Sequence, residues 1–201
     1  MNFTSAKQNA CLLLLATLCL SACEAPAGQE WKPTIGLSTT IVDNYEVDIS
    51  ALGYIGYSES FDYSMNELEL GSTRVTPDNM RPIKHEFAGF KLGSGDLRDS
   101  SGSGDLDEFS GGGILYFDEG ESLIPFLSIW ATNSDFENPI LSTQLGLRIG
   151  GGIEYPILGR NASITLGGDY LIPLIGAQDS TGIVELNGRG LAVRLGIRFV
   201  L

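Results

Sequence analysis

The last thirteen residues, "RGLAVRLGIRFVL", alternate without a break. Leu191, Val193, Leu195, Ile197, Phe199 and Leu201 hold every second position. Gly190, Ala192, Arg194, Gly196, Arg198 and Val200 lie between them. A period of two over this length is a β-strand with one wholly apolar face and one mostly small or cationic face. The same pattern returns upstream. In 143–155, Leu145, Leu147, Ile149, Gly151, Ile153 and Tyr155 lie opposite Gln144, Gly146, Arg148, Gly150, Gly152 and Glu154. In 162–173, Ala162, Ile164, Leu166, Gly168, Tyr170 and Ile172 oppose Ser163, Thr165, Gly167 and Asp169. No helical period persists after residue 33. The fold class is all-β, and what must be decided is whether the apolar faces line a core or meet lipid.

Three observations favour lipid. The non-apolar faces carry Gly, Ser and Thr with isolated Arg, Glu and Asp, which suits a narrow lumen better than a wet surface. Lysine is scarce: Lys7, Lys32, Lys84 and Lys91 are the only four, whereas a soluble β protein scatters lysines over its wet face and edges. Phe117, Tyr155 and Phe199 sit beside one set of turns and Tyr170 toward the other, in the manner of aromatic girdles. Strands of roughly 10–13 residues also suffice to cross a bilayer at a tilt, which takes about 9–11. The expected architecture is an antiparallel up-and-down transmembrane β-barrel. The alternative is a soluble, lipocalin-like barrel with its apolar faces inside, around an apolar ligand.

The N-terminus reads as an address. Residues 1–23, "MNFTSAKQNACLLLLATLCLSAC", place Lys7 before an apolar run from Ala10 to Leu20 that is too short to span a membrane as a helix. This is a secretory signal peptide, assigned to 1–22 and set aside from the fold. "LSAC" (20–23) resembles the lipobox of bacterial lipoproteins. That resemblance implies cleavage before Cys23 and acylation of its thiol, and Glu24 in the next position implies the outer membrane. Cys11 and Cys19 leave with the signal, so the mature chain has no disulfide. Loss of Lys7 takes the net charge from −13 to −14, which argues against nucleic acid as a partner.

Residues 23–33 form a lipidated N-terminus and linker, and 34–201 the barrel. Strands are expected over 45–58, 61–75, 84–93, 108–117, 123–132, 143–155, 162–173 and from 190 onward, eight in all, with ten as the alternative. The stretch 34–42 alternates too, but Asp43-Asn44 reads as a turn after it and leaves it without a place. With both ends in the periplasm, 76–83, 118–122 and 156–161 become short periplasmic turns. "SES" (58–60) and the longer loops 94–107, 133–142 and 174–189 become external. The loop 94–107, "SGDLRDSSGSGDLD", reads as flexible and acidic.

The stretch "GGGIEYPILGRNASITLGGDY" followed by "GLAVRLGIRFVL" resembles the small bacterial outer-membrane β-barrels, the OmpA-membrane-domain-like and OmpW-like group, over roughly 34–201. The resemblance implies a Gram-negative outer membrane. It also implies recognition by the barrel-assembly machinery through the terminal strand, with Phe199 and Leu201 as the signal. This chain ends on Leu201 where that group ends on an aromatic residue.

Arg148, Glu154, Asp169, Arg194 and Arg198 are expected to point into the lumen as a salt-bridge network, with Arg148 and Glu154 facing Asp169. A lumen of eight strands is just filled by side chains, so the network is structural; the alternative is a gated, porin-like narrow pore. No enzyme is expected. Some barrels of this membrane deacylate or acylate lipid A with His and Ser at the rim, but this chain offers only His85, with Glu86 on the opposite face. No metal site, cofactor or catalytic residue is assigned. The expected partners are outer-membrane lipids, lipopolysaccharide (with divalent cations bridging its phosphates to the acidic loops) and the assembly machinery, for a monomer.

Overall fold

Alternating faces need neighbours on both edges, and the chain supplies them by closing on itself. The computed structural model describes residues 31–51, 54–75, 83–98, 103–117, 122–136, 143–157, 161–175, 177–178 and 184–201. The expected signal peptide, Cys23 and the linker up to residue 30 lie outside them. The described residues form β1 (Lys32–Ala51), β2 (Tyr54–Val75), β3 (His85–Arg98), β4 (Ser103–Tyr116), β5 (Ile124–Phe136), β6 (Gln144–Pro156), β7 (Ala162–Ile175), β8 (Ala177–Gln178) and β9 (Val184–Val200). Successive long strands pair antiparallel, and β1 pairs with β9 from Thr34–Val200 to Ala51–Val184. Eight staves therefore close into a barrel. The two-residue β8 extends only β9, at Leu186 and Glu185.

The register gives the tilt. A path of directly paired residues runs Glu154, Thr165, Gly196, Ser38, Glu67, Gly93, Glu108, Ser134 and Gln144. It leaves β6 at 154 and returns to it at 144. A climb of ten residues over eight strand spacings tilts the strands by about 40° from the axis. The 117–123 and 157–161 turns and both ends of the barrel lie at one rim, here the turn end. The 52–53, 99–102, 137–143 and 176–183 connections lie at the other, the loop end.

Burial follows the alternation with polarity inverted. Leu37, Leu127, Ile129, Leu166, Leu191, Val193 and Leu195 are exposed on the outside. Thr40, Glu67, Lys91, Arg148, Asp169 and Arg194 are buried inside. In water this distribution would be unstable; in a bilayer it is the stable one. It also leaves no apolar interior of the lipocalin kind at mid-height.

Eight staves match the expected count, but the first two are placed differently. Residues 34–42 and 45–51 are one strand, β1, which already begins at Lys32 inside the expected linker. Asp43-Asn44 is a bulge within it, not a turn. The register slips between Val42 and Tyr45 against β2, and between Asp43 and Glu46 against β9. Asn44 takes φ 60°, the left-handed conformation that Asn tolerates and that a bulge of this kind uses. Ser58-Glu59-Ser60 lies inside β2, not at a turn. The expected loop 94–107 is mostly ladder, since β3 runs to Arg98 and β4 starts at Ser103. The loops expected at 133–142 and 174–189 shrink likewise, because β5 reaches Phe136, β7 reaches Ile175 and β9 begins at Val184. Backbone groups of an antiparallel pair can go on bonding beyond the bilayer, whatever the side chains.

Candidate functional site: the charged lumen

The lumen is built in three layers. At the loop end Val42, Tyr45, Phe61, Tyr63, Met65, Leu97, Leu106 and Phe136 pack with Leu171 and Ala192. The Tyr45 hydroxyl donates to Gln144 Oε1. Tyr45 meets Tyr63 edge-on and stacks on Phe136, with ring centroids 5.7 and 6.3 Å apart. The gap left among these residues is about 20 Å³, room for no more than one water. At the turn end Phe87, Ile114, Tyr116, Ile124, Phe126 and Trp130 form a second apolar layer. Glycines opposite the large rings make the space. Gly112 pairs with Trp130, and a Cβ there would come within 2.1 Å of the Ile129 carbonyl oxygen. A Cβ on Gly71 would lie 2.6 Å from the Phe87 ring.

Between the two layers lies a belt of charge. Arg148, 1 % exposed, donates Nη1 to Glu67 Oε1 and Nη2 to Glu108 Oε2, each at 2.9 Å. Glu67 also accepts from Thr40 at 2.5 Å and Ser38 at 3.1 Å. Glu108 accepts from Ser110 and Ser134, both at 2.8 Å. Asp169 faces Arg194 Nη1 at 3.1 Å and accepts from Ser128 at 3.0 Å. Arg198 donates Nε to Glu69 and Nη1 to Glu154, both at 2.7 Å, and reaches the Tyr116 hydroxyl. Lys91 Nζ lies 3.9 Å from Glu69 and 4.2 Å from the centre of the Trp130 ring, a cation–π contact. Burying charge is tolerable only when each ion is paired and its remaining hydrogen-bonding capacity is met. Serine and threonine hydroxyls supply that remainder for Glu67, Glu108 and Asp169 Oδ1, whereas Lys91 Nζ and Arg148 Nε are buried without a hydrogen-bond acceptor among the described residues.

All five residues expected in the lumen project into it, with partners that differ in part. Arg148 pairs with Glu67 and Glu108 instead of Asp169, which pairs with Arg194. Glu154 pairs with Arg198. Four charged members were not anticipated: Glu67, Glu69, Lys91 and Glu108. Glu108 adjoins the stretch 94–107, expected as an external acidic loop, which holds Asp96, Asp105 and Asp107. Those three do face outward, on β3 and β4. The signal for Glu67 and Glu69 was present, since they share parity with Phe61, Tyr63 and Met65. Phe199 and Leu201 face outward at the turn end. Half-buried His85 opens β3 there and, with Tyr116, Glu154, Ser163 and Arg198, lines a cavity of about 210 Å³. Among the described residues no group of His, Cys, Asp and Glu is arranged to hold a metal ion.

The barrel is similar to Neisserial surface protein A (NspA), with a TM-score of 0.51 and 14% identity over 87% of this chain and 99% of that one. Eight staves, the inverted exterior and this likeness converge. The chain has the fold of an outer-membrane β-barrel. A second barrel of this kind, the outer membrane enzyme PagL, gives a TM-score of 0.50 and 13% identity over 79% of this chain and 97% of that one. At such identities the likeness is one of fold. No family model and no curated protein matches the sequence.

Proposed function

We propose that this chain is a structural outer-membrane β-barrel protein whose lumen is sealed and does not conduct. One observation carries the reading: the charged belt is internally paired, is covered at the loop end by an apolar layer, and fills the turn end with the Arg198–Glu154 pair beside Tyr116. An ion entering at the loop end would have to part Tyr45, Tyr63 and Phe136 and then break a doubly paired Arg148. The orientation follows the barrel's ends, with the turn end in the periplasm. An acylated Cys23, eight residues before Trp31, would then insert in the inner leaflet of the same membrane, so lipid anchor and barrel are compatible. His85, at the turn end, faces away from the outer leaflet where lipid A resides, which supports a non-enzymatic role.

Planar-bilayer recording tests the reading. Wild-type protein is expected to give no steps above background, while a Tyr45→Ala/Tyr63→Ala/Phe136→Ala variant opens the loop-end layer and gives intermittent small ones. Regular steps from the wild type, lost in Arg194→Ala, would overturn the sealed lumen in favour of a narrow pore.

A further inference from the structure

The lipid-facing surface is uneven in height. On β6 every outward residue from Leu145 to Tyr155 is apolar or glycine: Leu145, Leu147, Ile149, Gly151, Ile153 and Tyr155. At about 2.5 Å of height per residue for strands tilted by about 40°, that spans about 25 Å, a full hydrocarbon core. On β2 the outward residues from the turn end are Ser72, Leu70, Leu68, Asn66, Ser64 and Asp62, beyond Arg74, which is buried at the rim. Only Leu70 and Leu68 are apolar, a band of about 5 Å by the same measure. Next to them Thr39 on β1 is directly paired with Asn66 and faces out as well. Its Oγ1 donates to Asn66 Oδ1 at 2.9 Å. The Asn66 amide oxygen thus has a partner within the barrel, and the Asn66 side chain is exposed on the outside. Ser94 on β3 pairs with Asn66 from the other side.

A polar notch, bordered on its loop side by Asp107 beside Ser94, is therefore cut into the apolar band from its loop-end edge. It is flanked by apolar side chains: Leu37 (56 % exposed), Ile41 (56 %) and Leu92 (46 %). A surface groove of about 960 Å³ runs through it, lined among others by Leu37, Thr39, Asn66, Leu68, Leu92 and Ser94. A polar group held at hydrocarbon depth is costly, and a lipid-facing one needs a partner that can hydrogen-bond there.

We infer that this notch is a docking site for a lipid of the outer leaflet whose chains join its headgroup through amide or hydroxyl-bearing links. The Asn66 amide and the Thr39 and Ser94 hydroxyls meet that junction, and an acyl chain lies along Leu37, Leu68 and Leu92. The outward charges around the loop-end edge of the notch are mostly acidic, Asp62, Asp96, Asp107 and Asp135 against Arg98 alone among the described residues, so a bare phosphate is not the group recognised. The inference rests on the outer-membrane barrel reading and its orientation.

The test is native mass spectrometry of the full chain in detergent, titrated separately with ceramide and with phosphatidylethanolamine. Ceramide is uncharged, with an amide and hydroxyls; phosphatidylethanolamine is ester-linked, with a phosphate. Wild type is expected to retain a one-to-one ceramide adduct at about tenfold lower lipid concentration than phosphatidylethanolamine. Thr39→Val/Asn66→Leu, which makes the band continuous and leaves the lumen untouched, is expected to bring the two lipids to parity. Parity in the wild type, a preference for phosphatidylethanolamine, or a preference surviving in the double variant would overturn the site. A protein dimer lost in the double variant would also overturn it, by assigning the notch to a second copy. Failure of the barrel reading would look different: release by carbonate and no heat-dependent gel shift, in wild type and variant alike.

Discussion

At the scale of single residues, charge is placed where lipid would forbid it and is then neutralised by geometry. Arg148 shows how tightly the pieces depend on one another. It serves two carboxylates, each already bonded to two hydroxyls, so its loss leaves two buried anions unpaired. Arg148→Leu is expected to cost about 3–5 kcal/mol, read as a lowered urea midpoint for unfolding from detergent micelles. Adding Glu67→Gln and Glu108→Gln removes both orphaned charges and should restore at least half of that loss. A triple variant no more stable than the single would mean that the belt does not act as a paired unit. Glycines make a second contrast. Gly112 backs Trp130 inside the barrel, and a Cβ there meets backbone at 2.1 Å, whereas a Cβ on outward-facing Gly168 meets nothing closer than the Ala192 oxygen at 3.5 Å. Gly112→Ala should lower stability by about 2 kcal/mol and Gly168→Ala by less than about 0.5 kcal/mol, in the same unfolding assay.

At the scale of elements, the bulge in β1 sets which side chains fill the barrel. Below it the even-numbered Thr34, Thr40 and Val42 are buried; above it the odd-numbered Tyr45 is. One extra residue at Asp43-Asn44 thus flips the strand and swings Tyr45 into the loop-end layer. Asn44→Gly should fold normally, because glycine takes φ 60° freely. Asn44→Ile should cost about 1–2 kcal/mol. Deleting Asp43 and Asn44 together should abolish the heat-modifiable gel shift or sharply lower its transition temperature, since Tyr45 would then take the outward position that follows Val42. The same bulge explains what could be read from the sequence. Strands β6, β7 and β9 were legible because their outward faces within the band are apolar or glycine, and mostly small residues with isolated charges lie opposite. β1 was divided in two because "DN" carries the chemistry of a turn, and only partners on both sides show it to be a bulge. The register of β2 was obscured because its inward face mixes Phe61, Tyr63 and Met65 with Glu67 and Glu69. An apolar residue there does not signal lipid, since the lumen has apolar layers of its own. The charged belt was half legible for the same reason. The arginines stand out against glycine-rich faces, while their carboxylate partners lie far away in sequence on β2 and β4.

For the whole molecule, the decisive property is that depth in the bilayer, more than position in the chain, sets the cost of a change. The ten-residue climb of the register places Leu195 near the middle of the apolar band, between Leu37 and Leu166. Its side chain is 58 % exposed to the outside, and in a membrane that exposure is to hydrocarbon. Leu123, 52 % exposed, lies just before β5 at the turn end, where the band gives way to the interface. In water the two would be equivalent, and arginine at either would be tolerated or would improve solubility. In a bilayer Leu195→Arg should cost about 2–4 kcal/mol and Leu123→Arg no more than about 1 kcal/mol. Unfolding titrations in phospholipid vesicles measure both. Equal small effects would place the exterior in water. Equal large effects would mean that the apolar band continues past the turn end. The expected inequality follows from the register alone, so it tests the tilt, the orientation of the faces and the membrane embedding in one comparison.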